Sequence, residues 1–234
     1  MRVHPPRAGL IALGALVIAA GAAACGSSGY QYVENDELGV YAKVPGDWTV
    51  YDEEALFPDD SDLERTQRLS TRWIRRFDAS AEPSVDHAAS LDAAAPTGRV
   101  EVLRLSADGR NQINLSQLRG IAVGNPQLDP LVVATQDPSV TVVLDEPITF
   151  DGGYHGVHTV FRVDPSAAAP GETGVAADPS ADRPAFVIDQ TTVLDATSSV
   201  AYIFQVSCSE ECYVNTHKDA IADIVDSWTI QEVR

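Results

Sequence analysis

Val40-Tyr-Ala-Lys-Val-Pro-Gly-Asp-Trp-Thr-Val50 is the stretch whose reading decides the fold class. Val40, Ala42 and Val44 alternate with Tyr41 and Lys43, the period-two pattern of a strand with one buried face. Pro45-Gly46-Asp47 interrupts it with turn chemistry, and Trp48-Thr-Val-Tyr51 resumes in residues that suit a pleated strand. The pattern predicts a hairpin over 40–51.

Strand signals recur outward from there. Arg99-Val-Glu-Val-Leu-Arg-Leu105 reads as a strand that stops at Ala107-Asp-Gly109. Val140–Phe150 and Tyr154–Val163 flank Asp151-Gly152-Gly153, a hairpin turn signal. Phe186 to Leu194 and Val200 to Val206 predict another hairpin around Asp195-Ala-Thr-Ser198, with Val200, Tyr202, Phe204 and Val206 on one face. Helical signals are fewer. Asn114 stands where it caps a short helix carrying Leu115, Leu118 and Ile121. Thr216-His-Lys-Asp219 has capping-box spacing before Ala220, Ile221, Ile224, Val225 and Trp228, which fall on one helical stripe. Thr229 to Val233 closes as a strand. Asp52 to Asp62 is an acidic loop or short helix around Leu56 and Phe57. Leu63 to Phe77 fits two templates. As a helix it aligns Leu69, Trp73 and Phe77, with Arg65, Arg68, Arg72, Arg75 and Arg76 on a second stripe; its later half, Thr71 to Asp78, also suits a strand. Strands in hairpin order with interspersed helices predict an α+β fold, a central, mainly antiparallel sheet with helices packed on its faces.

The opening segment Val40–Val50 resembles the first motif of the PsbP/Mog-type fold: apolar strand, proline-led turn, then tryptophan and a second strand. The closing segment, from Tyr202-Ile-Phe-Gln-Val-Ser-Cys208 to the amphipathic stripe and Ser227-Trp228, resembles that fold's last strand, loop and C-terminal helix. The chain is similar to the lipid-anchored members from high-GC Gram-positive bacteria. The resemblance implies a central antiparallel sheet with helices on its faces, and a binding or assembly accessory without a shared active site.

The N-terminus carries an address. Arg2 and Arg7 precede an uncharged run from Ala8 to Ala24, and Ala22-Ala23-Ala24 leads to Cys25-Gly-Ser-Ser-Gly29. This order of basic, apolar and small residues is that of an export signal, and with Cys25 it resembles a bacterial lipoprotein signal. The expectation is a signal peptide at 1–24, a lipidated (palmitate-bearing) Cys25 with a flexible tether over 25–29, and one α+β domain over 30–234. The protein would then sit on the cell membrane, facing the extracytoplasmic side. Ordinary secretory cleavage after Ala24 and retention of the run as a membrane anchor are the alternatives, and Ala22 stands where a typical lipobox has leucine. Pro165 to Pro184 holds four prolines, six alanines and two glycines in 20 residues. It is expected to be a mobile loop inside the domain.

The 234 residues carry 16 basic and 34 acidic side chains, a net charge of −18. Loss of Arg2 and Arg7 with the signal leaves the domain at −20. An acidic surface argues against a nucleic-acid partner, which requires a basic face. Besides Cys25 the chain has Cys208 and Cys212, spaced Cys-Ser-Glu-Glu-Cys. An oxidising compartment makes this pair a disulfide in preference to a redox motif or a metal site, the latter having only His217 nearby.

The search for chemistry yields no catalytic constellation. Gly-x-Ser-x-Gly, His-Glu-x-x-His and phosphate-binding glycine loops do not occur. His155 and His158 fall on opposite faces of their strand, so a shared metal would need a bulge at Gly156. Asp59, Asp60, Asp62 and Glu64 lack the spacing of a calcium loop. Asp189 and Asp195 can be argued as paired carboxylates for glycoside chemistry, which needs a defined separation and a cleft. No metal or cofactor is expected. The arginine cluster Arg65, Arg68, Arg72, Arg75 and Arg76 is the most unusual local feature, either paired with the abundant carboxylates or a docking patch for an anionic partner. The function expected is a membrane-anchored accessory that binds an envelope protein or an apolar ligand; the alternative is a hydrolase of cell-envelope components.

Overall fold

In the computed structural model, residues 29–122, 129–167 and 183–231 are described. The signal segment, Cys25 with most of its tether, and the greater part of the proline/alanine loop expected at 165–184 lie outside the described residues. Ten strands form two antiparallel sheets. The smaller contains β1 (Tyr30–Asn35), β2 (Val40–Pro45) and β10 (Thr229–Ile230), in the order β1-β2-β10. The larger contains β3 (Thr49–Tyr51), β4 (Arg72–Asp78), β5 (Thr97–Arg104), β6 (Val140–Phe150), β7 (Tyr154–Val163), β8 (Phe186–Leu194) and β9 (Val200–Ser209), in the order β3-β4-β5-β9-β8-β7-β6. The α+β class expected from the sequence is the class observed.

The 40–51 segment behaves differently from the hairpin its pattern predicts. β2 pairs with β1 on one side and β10 on the other, whereas β3 pairs with β4 in the large sheet. The Pro45-to-Trp48 turn, closed by Trp48 N–H to Pro45 C=O at 3.2 Å, therefore carries the chain from one sheet to the other. The reason is burial. Val40, Ala42 and Val44 are covered by the large sheet, and a return strand beside β2 would take the place that β10 occupies.

The two hairpins with explicit turn chemistry form as expected. Phe150 faces Tyr154 across a turn in which Gly152 and Gly153 have φ of 79° and 83°, a region that glycine enters without steric cost. β8 and β9 join through Asp195, whose carboxylate accepts the N–H groups of Ser199 (2.6 Å) and Val200 (2.8 Å).

Leu63–Phe77 adopts both templates in succession. Helix α2 (Asp62–Thr71) begins at a complete capping box, Ser61 with Glu64, and runs directly into β4. Its short forerunner α1 (Glu53–Leu56) is capped by Asp52. Asn114 caps α4 (Leu115–Ala122), its Oδ1 accepting Gln117 N–H at 3.1 Å. Strand β5 stops before Ala107-Asp-Gly109, as expected, and Ser106 caps a helix there, α3 (Ala107–Gln112). One expectation fails locally: Thr216-His-Lys-Asp219 forms no capping box, since residues 212–216 make a wide π turn and His217, without a side-chain cap bond, precedes α6 (Lys218–Ser227). The disulfide between Cys208 and Cys212 ties the start of this turn to the end of β9. Among the described residues the closing strand is paired over Thr229–Ile230, with Gln231 N–H reaching Gly39 C=O at 2.7 Å; the rest of the expected strand, 232–233, lies outside them.

Both faces of the large sheet are covered. On the first face Val100, Val102, Tyr202, Phe204 and Val206 meet Ala42 and Val44 of the small sheet and Ile221, Ile224 and Trp228 of α6 and its end. On the second face Val157, Leu194 and Ala201 pack beneath Leu118 of α4, with α5 (Pro130–Gln136) lying beside α4 and β6. The second face is the polar one. Thr97, Glu101, Thr159, Gln190, Thr192, Gln205 and Ser207 all point that way and are buried.

Candidate functional site

The five arginines of the sequence cluster do not form one patch. The change from helix to strand at Arg72 separates them. Arg65 and Arg68 stay on α2 and, with Arg75, border a cleft of about 170 Å³ that also contains Asp52, Glu53 and Glu54. Arg68 forms an ion pair with Asp60 and lies 3.9 Å over the Phe57 ring. Arg75, on the first face, turns back to its neighbour Ile74 C=O at 3.0 Å. Arg68 and Arg75 are thus occupied by a local acid, rings and a carbonyl, as a solvated acidic surface would have them.

Arg72 and Arg76 alternate with Trp73 and Phe77 and so reach the second face. There β4 pairs with β5, setting Arg76 opposite Arg99 and Ile74 opposite Glu101. Two of the three guanidinium groups there share the carboxylate of Glu101: Arg72 Nε meets one oxygen at 2.6 Å and Arg99 the other at 3.4 Å. Arg76 reaches no carboxylate among the described residues and bonds Ala88 C=O at 3.3 Å. Arg99 also donates to Ile121 C=O at 3.1 Å, and its Nε is buried without a partner. Burial, then the charges of Arg99 and Arg72, hold the pKa of Arg76 below the usual arginine value; burial, offset in part by Glu101, does the same for Arg99. Burial is the first cause of both shifts, and the neighbouring guanidinium charges add to it.

Arg76 and Arg99 flank a cleft of about 180 Å³ whose floor is Thr97, Gly98, Gln205 and Ser207 and whose wall is the 88–91 segment. Gln205 is 3 % exposed, yet its side-chain amide makes no hydrogen bond among the described residues and opens on this cleft. Asp78, two positions beyond Arg76 on the same face, is already in use. It accepts the N–H groups of Ser80 (2.8 Å) and Ser84 (3.1 Å) and contacts His87 at 2.9 Å. Burial pushes its carboxyl up, but these hydrogen bonds together outweigh it and hold the group below the usual aspartate range.

Sequence reasoning singled out Arg72 and Arg76 and missed Arg99, Glu101 and Gln205. The alternation of Arg99-Val-Glu101 with buried valines was the available signal: charged residues on a strand whose other face is core must go somewhere.

The remaining candidates serve structure. Cys208 and Cys212 are disulfide-bonded, with Cα atoms 6.0 Å apart. His155 and His158 point to opposite faces, as their spacing predicts. Gly156 carries no bulge, and the register shift lies on β6 between Val142 and Leu144. His158 Nε2 lies 2.8 Å from Asp189, its Nδ1 lies 3.6 Å from Glu146, and Asp189 also accepts the Tyr213 hydroxyl at 2.6 Å. Asp195 is spent on its own turn. Asp189 and Asp195 therefore have separate local tasks. Of the acidic run, Asp60 pairs with Arg68 and Glu64 caps α2. Among the described residues no three His, Cys, Asp or Glu side chains gather to hold a metal ion. No helix among them is long and apolar enough to cross a membrane.

No protein-family model matches the chain, and no curated protein matches it. Two of the solved structures to which it is similar have the PsbP and Mog1 folds, the type that its two end motifs resemble. The solution structure of cyanobacterial PsbP (CyanoP) from Synechocystis sp. PCC 6803 is 13% identical with a TM-score of 0.45, and the match covers 89% of this chain and 96% of that one. The Saccharomyces cerevisiae Ran-binding protein Mog1p is 11% identical with a TM-score of 0.43, over 86% and 95% of the two chains. Likeness at this distance carries no argument about what the chain binds.

Proposed function

We propose that this protein is a binding accessory of the cell envelope, lipid-anchored through Cys25 on the extracytoplasmic side of the membrane, and that its partner is an envelope protein with an acidic contact. The observation that carries the reading is the Arg76–Arg99 cleft, a concentration of positive charge in a chain of net charge −18. Its position supports the reading. The cleft is on the second face of the large sheet, whereas β1, where the tether joins the domain, belongs to the small sheet on the first face. A tether leaving from that side would leave the cleft open to the envelope.

An anionic contact is favoured over a purely apolar ligand because Arg76, Arg99 and Gln205 line the cleft together with Ala88, Ala89 and Leu91. A larger opening of about 550 Å³ is lined by Asp92, Glu210 and Glu211, whose charge would repel the same partner. Binding is preferred over envelope hydrolysis because His158, the histidine with the most polar contacts, has a carboxylate at each ring nitrogen. Both carboxylates raise the pKa of this imidazole and so favour its protonated form, which is the poorer general base.

Cross-linking in intact cells, followed by identification of the linked proteins, tests the reading. One recurrent envelope partner, lost on charge reversal at Arg76, is the expected result. A protein that yields no partner, or that releases product from purified envelope, refutes it.

A further inference from the structure

The charge balance on the second face of the large sheet identifies what the cleft holds. Arg72, Arg76 and Arg99 face one carboxylate, Glu101, itself 4 % exposed. Glu101 uses one oxygen on Arg72 and offers the other to Arg99 at a long 3.4 Å. Among the described residues Arg76 has no carboxylate within ion-pair distance, and the acid nearest to it along the strand, Asp78, is engaged by Ser80, Ser84 and His87. Half-buried guanidinium groups without a counter-ion are costly, and a fixed anion between them removes that cost. The uncommitted charge is that of Arg76 and part of Arg99. A single negative charge matches it; a dianion would stand too near Glu101 and Asp78 on the same face.

Two further features give the cleft the form of a binding site. Gln205 is almost fully buried and lines the cleft, and its amide has no hydrogen-bond partner among the described residues, so a donor is in place for an oxygen of the ligand. The volume, about 180 Å³, is near the roughly 150 Å³ that accommodates one benzene ring. Guanidinium groups bind planar carboxylates through paired N–H donors, which a point charge does not match.

We infer that the cleft between Arg76, Arg99 and Gln205 is a seat for one carboxylate group, carried either by a small free organic acid or by the chain end of a polypeptide partner. This deepens the binding-accessory reading and rests on it. Arg76 and Arg99 hold the two carboxylate oxygens and the Gln205 amide donates to one of them. The hydroxyl-bearing strand ends and the 88–91 segment enclose the remainder of the ligand.

The test uses the full chain, nitrogen-labelled and solubilised in detergent, titrated with sodium benzoate and with neutral benzamide while the Gln205 side-chain amide resonances are followed. Saturable shifts with benzoate and none with benzamide are expected. Arg76→Gln should weaken benzoate by about tenfold or more, the worth of one hydrogen bond to a charged group. Gln205→Glu, which places a carboxylate in the seat, should abolish benzoate binding and raise the urea midpoint. That variant keeps the test informative if Arg76→Gln folds poorly. An acetylated dipeptide with a free carboxylate, compared with its amidated form, separates the two sources: tighter binding of the free-ended peptide than of benzoate assigns the seat to a partner's chain end, and benzoate binding alone assigns it to a free acid. No saturable shift, an equal response to benzamide, or an Arg76→Gln variant that binds benzoate as well as the parent overturns the inference. Should Arg76→Gln lose benzoate but keep its cross-linked partner, the accessory reading survives and the chain-end form of the seat is overturned. A seat that binds benzoate in a protein with no partner overturns the accessory reading instead.

Discussion

His158 shows how much of one residue's role depends on its neighbours. The hydrogen bond to Asp189 raises its pKa above the ordinary value of 6.5, against the opposing effect of burial, with Asp189 and Glu146 adding favourable charge. A folded-state pKa above the unfolded value means that the stabilisation is fully present below about 6.5 and is lost as pH rises through the folded value. Urea midpoints measured across that window should therefore fall with rising pH, and His158→Gln should flatten this fall. A slope unchanged in the variant would assign it to another group. In sequence, His158 was one half of a doubtful metal pair. That it meets Asp189, 31 residues on, follows from strand register, which no local pattern records.

At the scale of elements, the turns were legible and the partnerships were not. Asp151-Gly-Gly153 and the Asp195 turn declare themselves because each closes on residues within a few positions. β2 and β3 failed as a hairpin because the choice of partner is made by burial, and Pro-Gly-Asp serves equally to reverse a chain or to move it between sheets. Gly156 is another element-scale constraint. A Cβ there would strike the backbone of Thr192 and lie 2.7 Å from Val193 Cα on the adjacent strand. Gly156→Ala should therefore cost at least about 1–3 kcal/mol in unfolding free energy, read from denaturant titration, since backbone atoms in a paired ladder have little room to move. The disulfide acts at the same scale. Closing a five-residue loop contributes about 2 kcal/mol in the chain-entropy model. Replacing Cys208 and Cys212 by serine should lower stability by about that amount and loosen the 212–216 turn, seen as faster amide exchange there than in the core strands. Equal exchange in both forms would mean that packing alone holds the turn.

In the proposed reading the whole molecule joins an address to a sided domain. Cys25→Ser should move the protein from the membrane fraction to the medium, because acyl chains contribute about 0.8 kcal/mol per buried methylene and nothing else in the proposal holds it there. Continued membrane association of the variant, or an intact mass without acyl groups in the parent, would end the lipid-anchor reading. Composition and alternation by themselves determined the acidic character, the class of fold, most strands, two turns and the closing helix, since these depend on residues near one another in the chain. Only the tertiary structure decided that five neighbouring arginines part company at Arg72, that two of them join Arg99 around one glutamate, and that Gln205 completes the cleft. Charges on a strand interact with whatever the register sets beside them, and register here is fixed by burying two faces of a seven-stranded sheet at once.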